Sequence, residues 1–409
     1  MKSVDEQIKR IKENAVEILP EGELEKKLAK AIATNTPLVV KQGFDPTAPD
    51  IHLGHTVGLR KLKQFAELGH RVVVIVGDYT ALVGDPSGRS ATRPQLTIEE
   101  VEANAKTYLE QFNKVMAPEK FEVRRNSEWF ADMAFADILR LAGKMTLARM
   151  LEREDFTKRW KAEAPISIHE LLYPLMQAYD SVMIKADVEL GATEQKFNLL
   201  TGRQIQEAYG VEPQVALTLP VLEGIDGLQR MSKSIGNYIG VSEPPREIFG
   251  KIMSIPDRLI VPYFQLVTNY TQSQIGKIDA AMKAGENPVS YKKELGRAIV
   301  GMYYDVQAAE EAQGEFEKVF SRREAPTTFV VREYVTSKNM EWLPRLLVDS
   351  GIATSTSEAR RKIEGGAIDL DNLRVSDVDL SVDTSMPHTI RYGKRHFYEI
   401  RKKDSESGD

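Results

Sequence analysis

The sequence predicts a Rossmann-like doubly wound parallel α/β sheet, followed by an α-helical domain and a small α+β module. Three observations carry this reading. Residues 38–76 read strand, glycine-containing turn, helix, strand. The strand-rich pattern stops beyond Ser234, and residues 244–320 are helical, with proline breaks at Pro256, Pro262 and Pro288. From about Met340 a short compact pattern follows, with Leu343, Leu346 and Leu347, a Ser357–Glu364 helix, and Gly365-Gly366-Ala367-Ile368. The expected domains are 1–240, with a helical insertion at about 97–160, then 241–325 and 335–404, with a disordered tail at 405–409. Arg322 to Thr328 reads as a linker.

Taken in order, residues 1–36 are predicted helical, with Ile8, Ile11, Ala15 and Ile18 at helical spacing. Leu38-Val39-Val40 reads as a buried strand. Val57, Leu59, Leu62, Phe65 and Leu68 fall on one side of a helix that ends at Gly69, and Arg71 to Val76 is a second strand. The turn between them, Lys41 to His55, holds His52 and His55 around Gly54. At a helix start the free N–H groups attract phosphate, and Gly54 lets a planar ring approach the backbone. Gly84 to Gly88 is one residue too short for a Walker A loop, and no Gly-Lys-Ser/Thr follows. Its tail, Arg89 through Arg93, is cationic and suited to clamping a polyphosphate.

Residues 97–160 are mostly helical around a strand-like Phe121–Arg125. Within them Thr146 to Arg153 is apolar beyond one stripe, as core or a subunit interface would be. His169-Glu170 lacks the second histidine of a zinc-protease motif. Tyr173, Gln177 and Asp180, at i, i+4 and i+7, share one helix face among Leu, Met and Ala neighbours. Such a row is usually solvated; in this company it suggests a lined pocket.

Composition sets the bounds. A length of 409 residues accommodates two to four domains, at roughly 150 residues each. Hydrophobic content of 42% and charged content of 28% are those of a globular protein. There is no cysteine, hence no disulfide framework and no thiolate zinc site. The charged start, Met1 to Arg10, lacks the apolar core of a secretion signal, and no run approaches the roughly 20 apolar residues of a membrane span. A cytoplasmic setting is expected. A net charge of −5 means that any nucleic-acid surface must be local.

The chain has only six histidines, and two stand at one strand-to-helix turn. Far downstream comes Arg230-Met231-Ser232-Lys233-Ser234. Together these stretches resemble the paired signatures of class I aminoacyl-tRNA synthetases, His-Ile-Gly-His and Lys-Met-Ser-Lys-Ser. With Gly43-Phe44-Asp45-Pro46-Thr47-Ala48, Gly84-Asp85-Pro86-Ser87-Gly88 and the Tyr173/Gln177/Asp180 row, the chain from about residue 30 onward is similar to the bacterial tyrosyl-tRNA synthetase family. That resemblance implies a tyrosine–tRNA ligase that forms tyrosyl-adenylate and pyrophosphate from L-tyrosine and ATP, with Mg2+ travelling on the ATP, and then charges tRNA(Tyr). It implies a homodimer as well.

By the same resemblance Asp180 accepts a hydrogen bond from the tyrosine phenol, while Tyr173, Gln177 and Asp85 hold the ammonium group. Gln195 completes the amino-acid and ribose site, and Lys41 belongs to the same tyrosine-binding set. Gly43, Asp45, Gly54, Ala192, Glu194 and Met231 line the ATP site with both histidines. Thr47, His52 and His55 contact phosphate, and Lys233, Arg230, Arg89 and Arg93 close on it. A buried carboxylate facing a phenol is left unpaired by phenylalanine, which disfavours that substrate. The chain departs from the family's usual pattern at Ala192 and Glu194, where Gly and Asp are usual, and at Lys41, where one branch has tyrosine. No dedicated protein metal site is expected.

The last module resembles a small RNA-binding fold shared with a ribosomal protein. Arg360, Arg361, Lys362, Arg391, Lys394, Arg395, Arg401, Lys402 and Lys403 concentrate positive charge there. With Tyr392, Phe397 and Tyr398 interleaved, a tRNA-binding face is expected. Two other readings are an inert RNA-binding relative, against which His52, His55, Lys233 and Asp180 argue, and a ligase for another amino acid, which turns on Asp180.

Overall fold

Six strands make the main sheet: β1 (Glu17–Leu19), β2 (Val39–Phe44), β3 (Arg71–Val76), β4 (Glu122–Arg125), β5 (Val188–Ala192) and β6 (Val215–Leu219). Their spatial order is β1-β6-β5-β2-β3-β4. All neighbours are parallel except β1 on β6. The chain builds outward from β2 through β3 to β4, then returns to the other side of β2 with β5 and β6. That reversal opens a crevice at the carboxyl ends of β2 and β5, where doubly wound sheets bind their ligands. Val72 to Val76 are buried without interruption, as a strand covered on both faces requires. The computed structural model describes residues 1–85, 96–318, 330–336, 338–371, 373–393 and 396–403, in two compact units, Met1–Glu310 and Glu311–Asp409.

The N-terminal region differs from the continuous helical pattern expected of it. A helix over Val4–Lys12, closed by a Ser3/Glu6 capping box, stops before Asn14, whose φ is +59°. Edge strand β1 follows, then a second helix over Glu23–Thr34. The left-handed Asn14 and Pro20 break the helical period, so Ile11 is buried in the core while Ile18 pairs with Leu217 at the sheet edge. The helix after β2 runs Leu53–Glu67, with Val57, Leu59, Leu62 and Phe65 buried. It turns at Gly69, where a φ of +93° suits glycine.

Residues 245–303 are helical as expected: Pro245–Ser254, Ile260–Val267, Gln272–Lys283 and Pro288–Tyr303, with Val306–Phe316 after them. Pro256 and Pro288 stand at helix starts. Pro262 does not break a helix; it sits in the first turn of Ile260–Val267, where the missing N–H would have had no intrahelical partner. This run up to Glu310 belongs to the same compact unit as the sheet. Arg60 on the helix after β2 donates to Asn269 (2.8 Å) and Asn14 to the Gln265 carbonyl (2.9 Å).

The second unit is a five-stranded sheet ordered β10-β9-β12-β13-β7 with a two-stranded β11-β8 pair. Its strands are β7 (Val330–Tyr334), β8 (Met340–Trp342), β9 (Ile368–Leu370), β10 (Leu373–Arg374), β11 (Ser381–Asp383), β12 (His388–Tyr392) and β13 (His396–Lys402). Helices Leu343–Asp349 and Thr356–Glu364 pack Leu343, Leu346, Leu347, Ala359 and Ile363 against Ile368, Ile390 and Ile400. β7 lies parallel to β13, so the module takes in residues upstream of the expected 335. Of that strand only Tyr334 is deeply buried, which hides it from a search for apolar runs. The expected linker at 322–328 and tail at 405–409 lie outside the described residues.

Candidate active site

The start of the Leu53–Glu67 helix is stitched to the backbone that follows Ser234. The Leu53 N–H donates to the Ile239 carbonyl (2.9 Å) and the Val241 N–H to the Ile51 carbonyl (3.2 Å), so His52 faces Gly240 in a short antiparallel bridge. The two signature stretches thereby share one wall. A Cβ on Gly54 would stand 3.0 Å from the His52 ring and 3.7 Å from Met231; without it the backbone stays open. The His52 and His55 rings lie 3.9 Å apart, and the His52 N–H donates to His55 Nδ1 (3.2 Å). Burial pushes both imidazoles down, His52 well below its ordinary range and His55 to about 4, with the Lys233 charge adding to the effect. Both are therefore neutral at pH 7 and act as hydrogen-bonding groups rather than charges.

Among the described residues lining this site, positive charge is left to Lys233 and Arg230, and each has a carboxylate partner. Lys233 Nζ lies 2.9 Å from Asp50 Oδ2, and Arg230 Nη1 lies 2.6 Å from Glu194 Oε2. These groups surround a cavity of about 520 Å3. The expected ATP residues Gly43, Asp45, His52, Gly54, His55, Ala192, Glu194, Met231 and Lys233 all line it, as do Thr47 and Arg230. Arg89 and Arg93 lie outside the described residues.

A second, narrow cavity of about 20 Å3 shares Gly43, Asp45, Tyr173 and Gln195 with the first and reaches Gln177 and Asp180. The Tyr173/Gln177/Asp180 row is on one helix, Tyr173–Ile184, and all three are buried. The Tyr173 hydroxyl donates to Asp45 Oδ2 (2.8 Å) and Thr80 to Asp45 Oδ1 (2.7 Å). Gly77 makes that arrangement possible, since a Cβ there would collide with both Asp45 and Thr80. Asp85 accepts from Gln195 and from Arg153, each at 3.3 Å. Gln177 donates to Glu189 (2.9 Å) and accepts from Asn198 (2.9 Å), which fixes its amide. Asp180 accepts from the Trp129 indole N–H (2.9 Å). Burial, the largest influence, pushes its carboxyl up to about 7, while Lys41 and the donors Trp129 and Asn126 pull the other way.

Lys41 is not at the pocket surface. It is fully buried behind it, donating to the Gln177 carbonyl (2.9 Å) and paired with Glu189 (3.1 Å). Glu170, set aside as a zinc-motif fragment, clamps the Arg159 guanidinium with both oxygens, at 2.6 and 3.0 Å. Sequence reasoning missed Trp129, Asp50, Asn198 and Glu189. Two of these had a signal: Trp129 is one of three tryptophans in the chain, and Glu189 is a lone charge between the aliphatic Val188 and Leu190.

On the second unit Arg360, Arg361 and Lys362 are exposed on one helix, and Lys402 and Lys403 are exposed at the end of β13. Arg391 pairs with Asp369 (2.9 Å) and Arg401 with Glu399. Lys394 and Arg395 lie outside the described residues. Tyr392 is a core residue rather than a surface aromatic: it is buried and donates to Glu358 (2.8 Å).

Neutral histidines and loop cations at the crevice of a doubly wound sheet are arranged for nucleotide chemistry. Residues 33–321 match the tRNA synthetases class I (W and Y), and the chain belongs to that family. Residues 320–400 match the tyrosine–tRNA ligase SYY-like C-terminal domain. The tyrosine–tRNA ligase of Moorella thermoacetica is 50% identical over 398 residues, 97% of this chain and 96% of that one. That of Carboxydothermus hydrogenoformans is 50% identical over 399 residues, 96% and 97% of the two chains. Among solved structures, the tyrosyl-tRNA synthetase of Archaeoglobus fulgidus, complexed with L-tyrosine, superposes with a TM-score of 0.63 at 24% identity. It covers 75% of this chain and 99% of its own, a likeness of fold. Within the class it is with the tyrosine–tRNA ligases that the chain groups, over nearly its whole length.

Proposed function

We propose that this chain activates L-tyrosine with ATP, giving tyrosyl-adenylate and pyrophosphate, and transfers tyrosine from the adenylate to the terminal ribose of tRNA(Tyr), releasing AMP. One observation supports the choice of amino acid: a narrow cavity that shares Gly43, Asp45, Tyr173 and Gln195 with the larger one is lined by Asp180, a carboxylate oriented by Trp129. A phenol donating to that carboxylate satisfies it, whereas a bare phenyl ring leaves it buried and unpaired.

The first step is attack of the tyrosine carboxylate on the α-phosphate, with pyrophosphate leaving. No protein nucleophile is required; the chain supplies positioning and charge. Tyr173, Gln177, Asp85 and Gln195 hold the amino acid. Thr47 and the neutral imidazoles of His52 and His55 bind phosphate oxygens as hydrogen-bonding groups. Lys233 and Arg230 exchange Asp50 and Glu194 for the phosphates as charge builds on pyrophosphate, joined by Arg89 and Arg93. Mg2+ would accompany ATP and supply further charge neutralisation there. The pocket fits that mode, because its carboxylates Asp45 and Asp85 are engaged by Tyr173, Thr80, Gln195 and Arg153.

The exposed arginines and lysines of the last module are assigned to tRNA, and the helical stretch from 241 to the anticodon side. A homodimer in the cytoplasm completes the proposal. Exposed apolar side chains at Phe135 (72%), Leu139 (57%) and Leu147 (55%) support a subunit interface around the helical insertion. No described helix is long and apolar enough to cross a membrane. The test is ATP–pyrophosphate exchange with each of the twenty amino acids. Exchange should be supported by tyrosine alone; exchange with another amino acid, or with none, would overturn the reading.

A further inference from the structure

Lys41 and Glu189 face each other in register on the adjacent parallel strands β2 and β5. Neither side chain has any exposed surface, and Nζ lies 3.1 Å from Oε1. Neither is among the described residues lining the two cavities. Their strand neighbours Val40, Val188 and Leu190 are aliphatic and buried. A pair of aliphatic side chains would fill these positions without the desolvation that a buried ion pair suffers. The surroundings are nevertheless built for charge. Glu189 Oε1 accepts from Gln177 Nε2 (2.9 Å), and Oε2 accepts from Ser181 (3.3 Å) and from Gln214. Lys41 Nζ donates to the Gln177 carbonyl (2.9 Å). Gly202 keeps the space open, since a Cβ there would stand 3.1 Å from Glu189 Oε2 and collide with Gln214.

The pair grips Gln177 from two sides, through its backbone and its amide, one helical turn before Asp180. It also acts on Asp180 through space, Lys41 favouring the carboxylate and Glu189 opposing it. Among the described residues, Trp129 and Asn126 are neutral donors to Asp180, and the Tyr173 phenol lines the same cavity. Asp45, a second carboxylate on the wall of that cavity, is engaged by Tyr173 and Thr80.

Resting on the tyrosine-ligase reading, we propose that Lys41 and Glu189 are positioning residues that set the pocket's demand for a ring hydroxyl. Lys41 maintains a positive field behind Asp180, so that this carboxylate accepts and does not donate, while Glu189 limits that field and fixes the Gln177 amide.

The two charges act on Asp180 with opposite sign, and the test exploits this. Tyrosine- and phenylalanine-dependent pyrophosphate exchange is measured between about pH 5.5 and 9 for the wild type, Lys41→Met, Glu189→Gln and the double variant. Lys41→Met should move the acid limb of kcat/KM for tyrosine upward by about one pH unit or more. At low pH it should narrow the preference for tyrosine over phenylalanine by about tenfold, with a smaller change in kcat at saturating tyrosine. Glu189→Gln should move the same limb downward, and the double variant should fall between the two. A purely structural role would lower activity alike at every pH. Unmoved limbs, or limbs displaced in the same direction by both single variants, would overturn the inference. If Lys41→Met fails to fold, the sign of the Glu189→Gln shift decides, with Lys41→Arg expected to keep the wild-type limb. Absence of tyrosine exchange by the wild type would instead refute the ligase reading.

Discussion

Four titratable side chains at the site divide its work. His52 and His55 are held neutral by burial, and Asp180 carries a carboxyl raised to about 7. On the proposed role of Asp180, whose ionised form would accept from the phenol, tyrosine activation should show an acid limb between pH 6 and 8. His55→Asn should lower the rate of adenylate formation and leave that limb in place; a limb that vanishes with His55 would reassign it. Asp180→Asn should reduce kcat/KM for tyrosine by about 10- to 100-fold, the loss of a charge-assisted hydrogen bond, with KM for ATP little altered. The stability linkage has a definite sign. Asp180 has its pKa raised on folding, so its contribution is fully present below the unfolded value near 3.8 and is lost as pH rises through about 7. Asp180→Asn should therefore flatten the dependence of Tm on pH across that window. The fourth side chain, Lys233, is held by Asp50 before ATP arrives. Lys233→Ala should slow adenylate formation by about 10²- to 10³-fold in single-turnover kinetics while tyrosine affinity is retained.

At the scale of elements, the sequence showed the parts that obey a simple period. The Leu53–Glu67 helix, β3, the helix bearing Tyr173, Gln177 and Asp180, and β4 lie where apolar runs and helical spacing put them. By contrast β2 runs on to Phe44, because Lys41 to Phe44, expected in the turn, pair with β3 in spite of the polar Lys41 and Gln42. Two edge strands, β1 and β7, were illegible. β1 and β7 are three and five residues long with mixed polarity, and their pairing partners, β6 and β13, lie far along the chain. The expected ATP residues assembled because they come from motifs whose backbone context is local. What stayed hidden was the layer behind the pocket. Lys41, Glu189, Asn198 and Trp129 meet only through the sheet order and through the packing of the Tyr173–Ile184 helix on it. No spacing within the chain encodes such meetings, so Lys41 was expected among the tyrosine-binding residues and is instead fully buried, paired with Glu189.

For the whole molecule, the two family matches meet at residues 320–321 and the second unit folds around its own core. Ending the chain at Lys318 should leave tyrosine-dependent pyrophosphate exchange intact, because every group assigned to tyrosine and ATP precedes it. Charging of tRNA should be lost at moderate salt. Charging at the full-length rate would remove the last module from tRNA binding. A finer version replaces Arg360, Arg361 and Lys362 together by alanine. Each lost phosphate contact lowers the slope of log affinity against log salt by about 0.9 on duplex or 0.7 on single-stranded regions. KM for tRNA should rise about tenfold or more, with exchange unchanged.

The bridge between His52 and Gly240 has a consequence in time as well as in space. Because the Leu53 amide bonds to the Ile239 carbonyl and the Val241 amide to the Ile51 carbonyl, neither the His52 stretch nor the Ile239–Val241 stretch can open there without releasing the other. Their amide protons should exchange with deuterium as one cooperative unit, at one rate, although the two stretches lie far apart along the chain. Peptides spanning 51–55 and 239–243 should label in concert and be slowed together by a non-hydrolysable ATP analogue. Independent rates would show that the two stretches keep separate clocks in spite of the bridge.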